Sequence, residues 1–217
     1  MSDDTRSIAT DTTTATPTRS PGFTLTFSAR DLLNVAIFAV IYFVIVFAIA
    51  MLGVISPPVM LLTLPLSIIA AGVPYMLFLT RVKHAGPVTL FAIAVGGLYL
   101  IIGHPWISTL VTIGAALVAE VILWAGRYRS RWSAIVAYAV FSLWYIGPML
   151  PLLMNRAEYL NSPGMQAMGQ DYVDAFDQTV SVTVLWIYNA STFVCGLLGG
   201  LLGAYLLKKH FTRAGLA

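Results

Sequence analysis

From Leu32 to Leu207 the chain is a succession of apolar runs, most of them near 20 residues long, joined by short polar connections. That pattern decides the class of fold. A run of about 20 apolar residues coiled as a helix crosses a hydrocarbon layer roughly 30 Å thick. Composition points the same way: 59% of residues are hydrophobic, 10% are charged, and the mean hydropathy is +0.84. Soluble domains carry about 25% charged residues. A soluble fold of 217 residues could not hide so much apolar surface, so the chain reads as an all-α integral membrane protein.

The runs place six transmembrane helices, at 32–54, 59–79, 88–103, 106–125, 132–154 and 180–207. The third is short, because sixteen residues rise only about 24 Å as a helix. A tilted or locally thinned arrangement fits it, as does a re-entrant hairpin with the fourth. Residues 1–30 are rich in Thr, Ser, Asp and Pro and lack the apolar centre of a signal peptide, which predicts a disordered tail. Pro65 and Pro74 in the second run, and Pro148 and Pro151 in the fifth, are expected to bend or interrupt their helices.

Charge sets the orientation. Six crossings put eleven of the twelve basic residues on one side: those of the tail, of the loops 80–87 and 126–131, and of the segment after Leu207. Only Arg156 falls opposite. Lys and Arg accumulate in cytoplasmic loops, so both termini, residues 211–217 included, are expected in the cytoplasm of a bacterium whose cytoplasmic membrane holds the bundle. The pI of about 9.1 then reflects topology anchors, and no nucleic-acid partner is expected. The opposite side carries a long loop, 155–179, in which Met168, Tyr172, Ala175 and Phe176 fall at helical spacing. A short amphipathic helix over the outer mouth is one reading of it; a solvated connector is the other.

Several chemistries have no foothold. No GxxxxGK[ST] occurs, so the chain carries no P-loop for ATP. His84, His104 and His210 sit in separate loops without an HExxH, and no GxSxG is present. Neither an enzyme, a metal site nor a bound cofactor is expected. Cys195, alone within a span, reads as a packing residue.

Three groups of residues stand out. Glu120 is the one carboxylate within a span, about two turns upstream of the arginines in "GRYRSRW". Intramembrane carboxylates are costly and commonly functional; pairing with a basic loop residue, contact with a partner and a proton relay are the roles open to it. The outer half of the bundle collects Tyr99, His104, Trp106, Trp144, Tyr145, Trp186, Tyr188 and Asn189. Interfacial belts account for many Trp and Tyr in membrane proteins, yet Trp144 lies about 18 Å past Trp132 along a helix. Aromatic walls with a few polar groups are what a small-molecule pocket needs. Finally, "CGLLGGLLGAYLL" contains the overlapping pairs Gly196/Gly200 and Gly199/Gly203, which allow close helix packing, and Ala36, Ala39 and Val40 make a small-residue patch near the start of the first span.

"RDLLNVAIFAVIYFVI", "GAALVAEVILW" and the ending "LLKKHFTRAGLA" resemble the treponemal/streptococcal (Trep_Strep, or MptD) family of S components of energy-coupling factor (ECF) transporters. The resemblance covers nearly the whole chain after Ser28. It implies a six-helix protein that captures a micronutrient such as a vitamin, a siderophore-like metal carrier or a tetrapyrrole. It also implies as partners a transmembrane T component and two ABC-type ATPases, which use the ATP, and delivery by toppling within the bilayer. S components often meet the T component through an AxxxA patch on the first helix; here the pairs are Val35/Ala39 and Ala36/Val40. The rival expectation, from another class, is a ligand-free membrane scaffold or assembly factor whose aromatics are interfacial belts.

Overall fold

The computed structural model describes residues 27–213, with side chains from 27 to 209. Most of the expected tail (1–30), most of the C-terminal segment (211–217) and the His210 side chain lie outside the described residues. No β-strand occurs among those described. Five helical stretches are long and apolar enough to cross a membrane: 29–55, 57–81, 106–125, 131–154 and 182–209. Helix is the natural answer to such a sequence, since a membrane leaves backbone N–H and C=O groups no other partner than the segment itself.

Helix α1 (Ala29–Ala50) starts at a capping box, with Ser28 and Asp31 bonding each other's backbone N–H, and runs into a 3-10 turn, Met51–Ile55. Helix α2 (Pro57–Arg81) carries Pro65 and Pro74 without interruption, so of the bend or interruption expected there the interruption does not occur. A proline removes one backbone hydrogen bond and crowds the preceding turn, but packing on both sides of α2 keeps it continuous. Helix α3 (Pro87–Ile101) is one unbroken helix of 15 residues, about 22 Å long. It pairs with α4 (Trp106–Ala125), where Thr109 donates to the Gly96 carbonyl at 3.2 Å.

The fifth run is where proline has its effect. Helix α5 (Arg131–Phe141) gives way to a 3-10 stretch, Ser142–Met149, before a last turn, α6 (Leu150–Met154). Pro148 and Pro151 cannot donate to residues four back, and the Leu150 N–H bonds the Gly147 carbonyl instead. Eight residues of tighter helix re-aim this segment and bring Trp144 and Tyr145, neighbours in sequence, both into the interior.

The loop 155–179 is folded, forming α7 (Arg156–Leu160), α8 (Pro163–Gln166) and α9 (Gln170–Thr179), and its Met165, Val173 and Phe176 share a small apolar core with Met149, Leu152 and Leu185 of the bundle. Val173 and Phe176 are buried, Tyr172 is half-buried, and Met168 stands exposed before the helix begins. Arg156 closes this cap onto itself: its guanidinium donates to the Asp177 carboxylate at 2.6 Å, and to the carbonyls of Asp177 and Val180. Tyr172 ties the cap to the end of the first span by donating to the Gly53 carbonyl.

Helix α10 (Val182–Arg213) is held on two sides. Gly199 and Gly203 lie against the backbone of α2 at Ile68, Ile69 and Gly72, while Gly196 and Gly200 lie against Ala139 and Ile135 of α5. Both glycine pairs therefore serve contacts inside the bundle, and Gly72 of α2 is the partner that completes the closest of them.

Candidate functional site

The interior of the bundle is a column of rings. Tyr42, Tyr75, Phe78, Phe91, Tyr138 and Phe141 are all buried and meet edge-on or stacked, with centroids 4.7 to 6.5 Å apart. Such offset and edge contacts suit the charge distribution of aromatic rings. Toward the end that carries the cap the column becomes polar. The Trp144 indole donates to the Tyr42 hydroxyl at 3.2 Å and lies 4.4 Å from the Tyr145 ring and 5.0 Å from that of Tyr99. Tyr145 shares a 2.6 Å hydrogen bond with Ser67, and Tyr99 sits 4.7 Å from the His104 ring.

At this end the hydrogen bonding is incomplete. The Tyr99 hydroxyl, His104 Nδ1, the Tyr188 hydroxyl and Asn189 Oδ1 are buried and have no partner among the described residues. Tyr75, deeper in the column, has a fifth such hydroxyl. A buried polar atom left unpaired costs about 1–3 kcal/mol, so sites of this kind are filled by water or a ligand. The cap reaches this end: Leu185, one turn before Tyr188 and Asn189, shares an apolar cluster with Val173 and Phe176, and the Tyr159 hydroxyl lies 3.7 Å from Met149 Sδ. The expected set thus divides. Tyr99, His104, Trp144, Tyr145, Tyr188 and Asn189 turn inward. Trp186, at 59% exposure, and Trp106, at 68%, face outward. The sequence spacing of Trp186 and Asn189, one turn apart, would let them share a face, but three residues advance a helix by about 300°, and the edge of the buried face of α10 falls between them.

Tyr42 and Ser67 belong to the site and were not anticipated from sequence. Each holds one of the two inward rings, and the available signal was a hydroxyl placed mid-span, away from either interfacial belt.

His104 lies in the connection between α3 and α4, and burial lowers its pKa from about 6.5 to about 4, because it disfavours the charged ring. Between those values the unfolded chain binds a proton that the folded chain refuses. Its contribution to stability is therefore fully present above pH 6.5 and is lost as pH falls toward 4. The unfolding midpoint of the detergent-purified protein should drop across that window, with a shallower slope in His104→Asn. Equal slopes would show that His104 does not titrate as described.

A family model described as "Hypothetical bacterial integral membrane protein (Trep_Strep)" matches residues 29–213. The chain belongs to the Trep_Strep family. Neither a curated protein nor a solved structure gives a significant match. The family description specifies a membrane protein and no activity, so the chemistry of this Trep_Strep chain has to come from its own residues. The site at the cap end offers ring faces, phenolic hydroxyls, an amide and an imidazole. No cluster of three or more His, Cys, Asp or Glu occurs among the described residues.

The other candidates in this Trep_Strep protein lie at the opposite end of the bundle. Glu120 is buried, and it meets backbone rather than a cation. It accepts from the N–H groups of Gly86 and Thr89, the Thr89 hydroxyl and the Tyr128 hydroxyl, at 3.0 to 3.2 Å. Gly86 has no side chain with which to cap α3, so a carboxylate from α4 caps it across the interface, where the helix dipole also favours negative charge. Tyr128 reaches it because Arg127 and Tyr128 both adopt left-handed backbone, with φ of 53°. Burial, with Glu120 beside it, pushes the Tyr128 phenol up. An apolar groove of about 550 Å³ runs past Glu120 between Leu90, Val121 and Trp124.

The small-residue patch on α1 also divides. Val35 and Ala39 are buried within the bundle, whereas Ala36 and Val40 are exposed. Ala39 is therefore removed from any partner surface, because one face of α1 packs on α2 and α3 and the i, i+4 pairs fall on either side of its edge.

Proposed function

We propose that this chain is the substrate-binding S component of an ECF-type ABC importer. In this reading six helices cross the bacterial cytoplasmic membrane, with both termini in the cytoplasm. The short α3 crosses antiparallel to α4, which suits its position alongside that helix. The aromatic and polar site beneath the cap captures a micronutrient (a vitamin, siderophore-like metal carrier or tetrapyrrole), and a T component driven by two ATPases delivers it. The chain itself is no enzyme and binds no cofactor. The observation that carries the reading is the group of unpaired buried polar atoms beside a ring-lined wall: a scaffold has no use for that cost, while a ligand would satisfy it.

The test is a thermal-stabilisation screen of the purified protein against micronutrients, since a ligand that binds only the folded state raises its apparent stability. For a ligand so found, Trp144→Ala and Asn189→Leu should each weaken binding by about ten-fold or more, the loss expected for a buried anchor worth 1–3 kcal/mol. Exposed Gln178→Ala in the cap should not. Unchanged affinity in both site variants, with folding preserved, would leave these residues as packing and favour the ligand-free scaffold.

For coupling we assign the exposed strip Ala36/Val40 and the groove beside Glu120 to the T component. Ala36→Trp should then reduce co-purification with the T component and ATPases while the bundle still unfolds at its normal temperature. Ala39→Trp should instead destabilise the protein itself, because its Cβ points into a packed interface. Undiminished co-purification of the Ala36→Trp variant would remove α1 from the coupling surface.

A further inference from the structure

The basic end of the bundle holds a second cavity that the transport reading does not use. It is an open cavity of about 450 Å³ between the ends of α2, α4 and α10 and the start of α5. Its floor is apolar, with Met76, Leu123 and Ala204, and its rim carries Lys83, Arg129 and Arg131. Two separate connections, α2–α3 and α4–α5, bring those cations together, and among the described residues none of the three has a carboxylate within ion-pair distance. The rim is built rather than loose. Gly126 is pressed against Ser133, where a Cβ would meet the serine hydroxyl, and Arg127 and Tyr128 hold the left-handed conformation that ordinary side chains disfavour. Tyr128 is anchored by Glu120, and Ser130 caps α5 by accepting from the Ser133 N–H. The first turn of α5, which has N–H groups without intrahelical acceptors, thus opens beside the cavity.

We propose that this cavity is a binding site for an anionic phospholipid, whose phosphate lies between Lys83, Arg129 and Arg131 and whose acyl chain covers the apolar floor. Two features select a lipid over a soluble anion. A free phosphate would use the rim and leave the floor bare, and the cavity lies at the level of the helix ends, where headgroups reside. Basic pockets between transmembrane helices bind anionic headgroups, and a Lys or Arg at an anionic membrane surface is worth about 1 kcal/mol, which is about five-fold in affinity for each.

The experiment measures unfolding of the full-length protein in neutral detergent with added phosphatidylglycerol, phosphatidylcholine or inorganic phosphate, and counts bound lipid by native mass spectrometry. Phosphatidylglycerol should bind and raise the unfolding midpoint, with phosphatidylcholine much weaker. The double variant Arg129→Gln/Arg131→Gln should lose about twenty-five-fold in affinity, and Lys83→Gln alone about five-fold. Arg30→Gln, which removes an exposed cation on α1 that does not line the cavity, should leave binding unchanged. Lys83→Gln keeps the test decisive should the double variant fail to fold. Equal protection by phosphatidylcholine, or unaltered affinity in the rim variants, would overturn the proposal. Displacement of phosphatidylglycerol by millimolar phosphate would assign the rim to a soluble anion and overturn the lipid.

Discussion

Gly72→Ala is expected to be among the most damaging single-methyl changes this bundle can suffer. A Cβ at Gly72 would stand 2.4 Å from the Gly199 carbonyl carbon and 2.5 Å from its oxygen. Both obstacles are backbone, so no side chain can rotate aside, and α2 must separate from α10 along the whole contact. Overpacking of a well-filled core costs about 1–3 kcal/mol, and this case belongs at the top of that range or beyond it. For a protein of this size the unfolding midpoint should fall by roughly 10 °C. The comparison that isolates the cause is Gly114→Ala in α4, where a Cβ meets nothing within 4 Å. There the better helix propensity of alanine should stabilise by up to about 1 kcal/mol. A normal midpoint in Gly72→Ala would mean that the two helices do not meet at Gly199.

Glu120→Leu should cost about as much by the opposite route, removing acceptors rather than adding bulk. Two backbone N–H groups at the start of α3, a threonine hydroxyl and the Tyr128 phenol would lose their common partner. Each polar group left unpaired costs about 1–3 kcal/mol where water cannot reach it. These groups are only partly buried, so about 3 kcal/mol in total is the expected loss. Glu120→Gln keeps one carbonyl oxygen in place and should fall between Leu and the parent. Thermal unfolding gives the order, and hydrogen exchange at Gly86–Leu90 locates it: protection there should weaken in both variants. A fully stable Glu120→Leu protein with unchanged exchange would make the carboxylate dispensable to the fold and return it to the functional candidates.

These cases show where sequence reasoning succeeds and where it stops. The long apolar runs announce an all-helical membrane protein, because in hydrocarbon the backbone has little choice; of the six spans read from them, five are helices long enough to cross and the third is the shorter α3. The ring of residues from Tyr99 to Asn189 could be gathered by depth alone. Facing could not be read so well. Trp186 and Asn189, or Ala36 and Ala39, are each three residues apart, which on a helix is near enough to look shared and far enough to straddle a boundary. The partner of Glu120 was invisible for another reason: it is the N-terminus of a helix, a partial positive charge made of peptide groups, and no letter in the sequence denotes it. The 3-10 stretch behind Trp144 and Tyr145 was signalled only by two prolines, the same signal that α2 carries without breaking.

The glycine contacts of α10 also constrain how the molecule can move. A helix with one smooth face can slide or rotate against a neighbour, but α10 has backbone touching backbone on two sides, toward α2 and toward α5. Turning it to ease one contact drives a methylene or larger group into the other. The helices α2, α5 and α10 therefore behave as a single rigid wedge, and under the transport function proposed above a ligand would be admitted by displacing the α3–α4 hairpin and the cap relative to it. Hydrogen exchange in the wedge should be slow with or without ligand, and the opening motion belongs to the remaining elements, with the His104 connection as the part nearest the site.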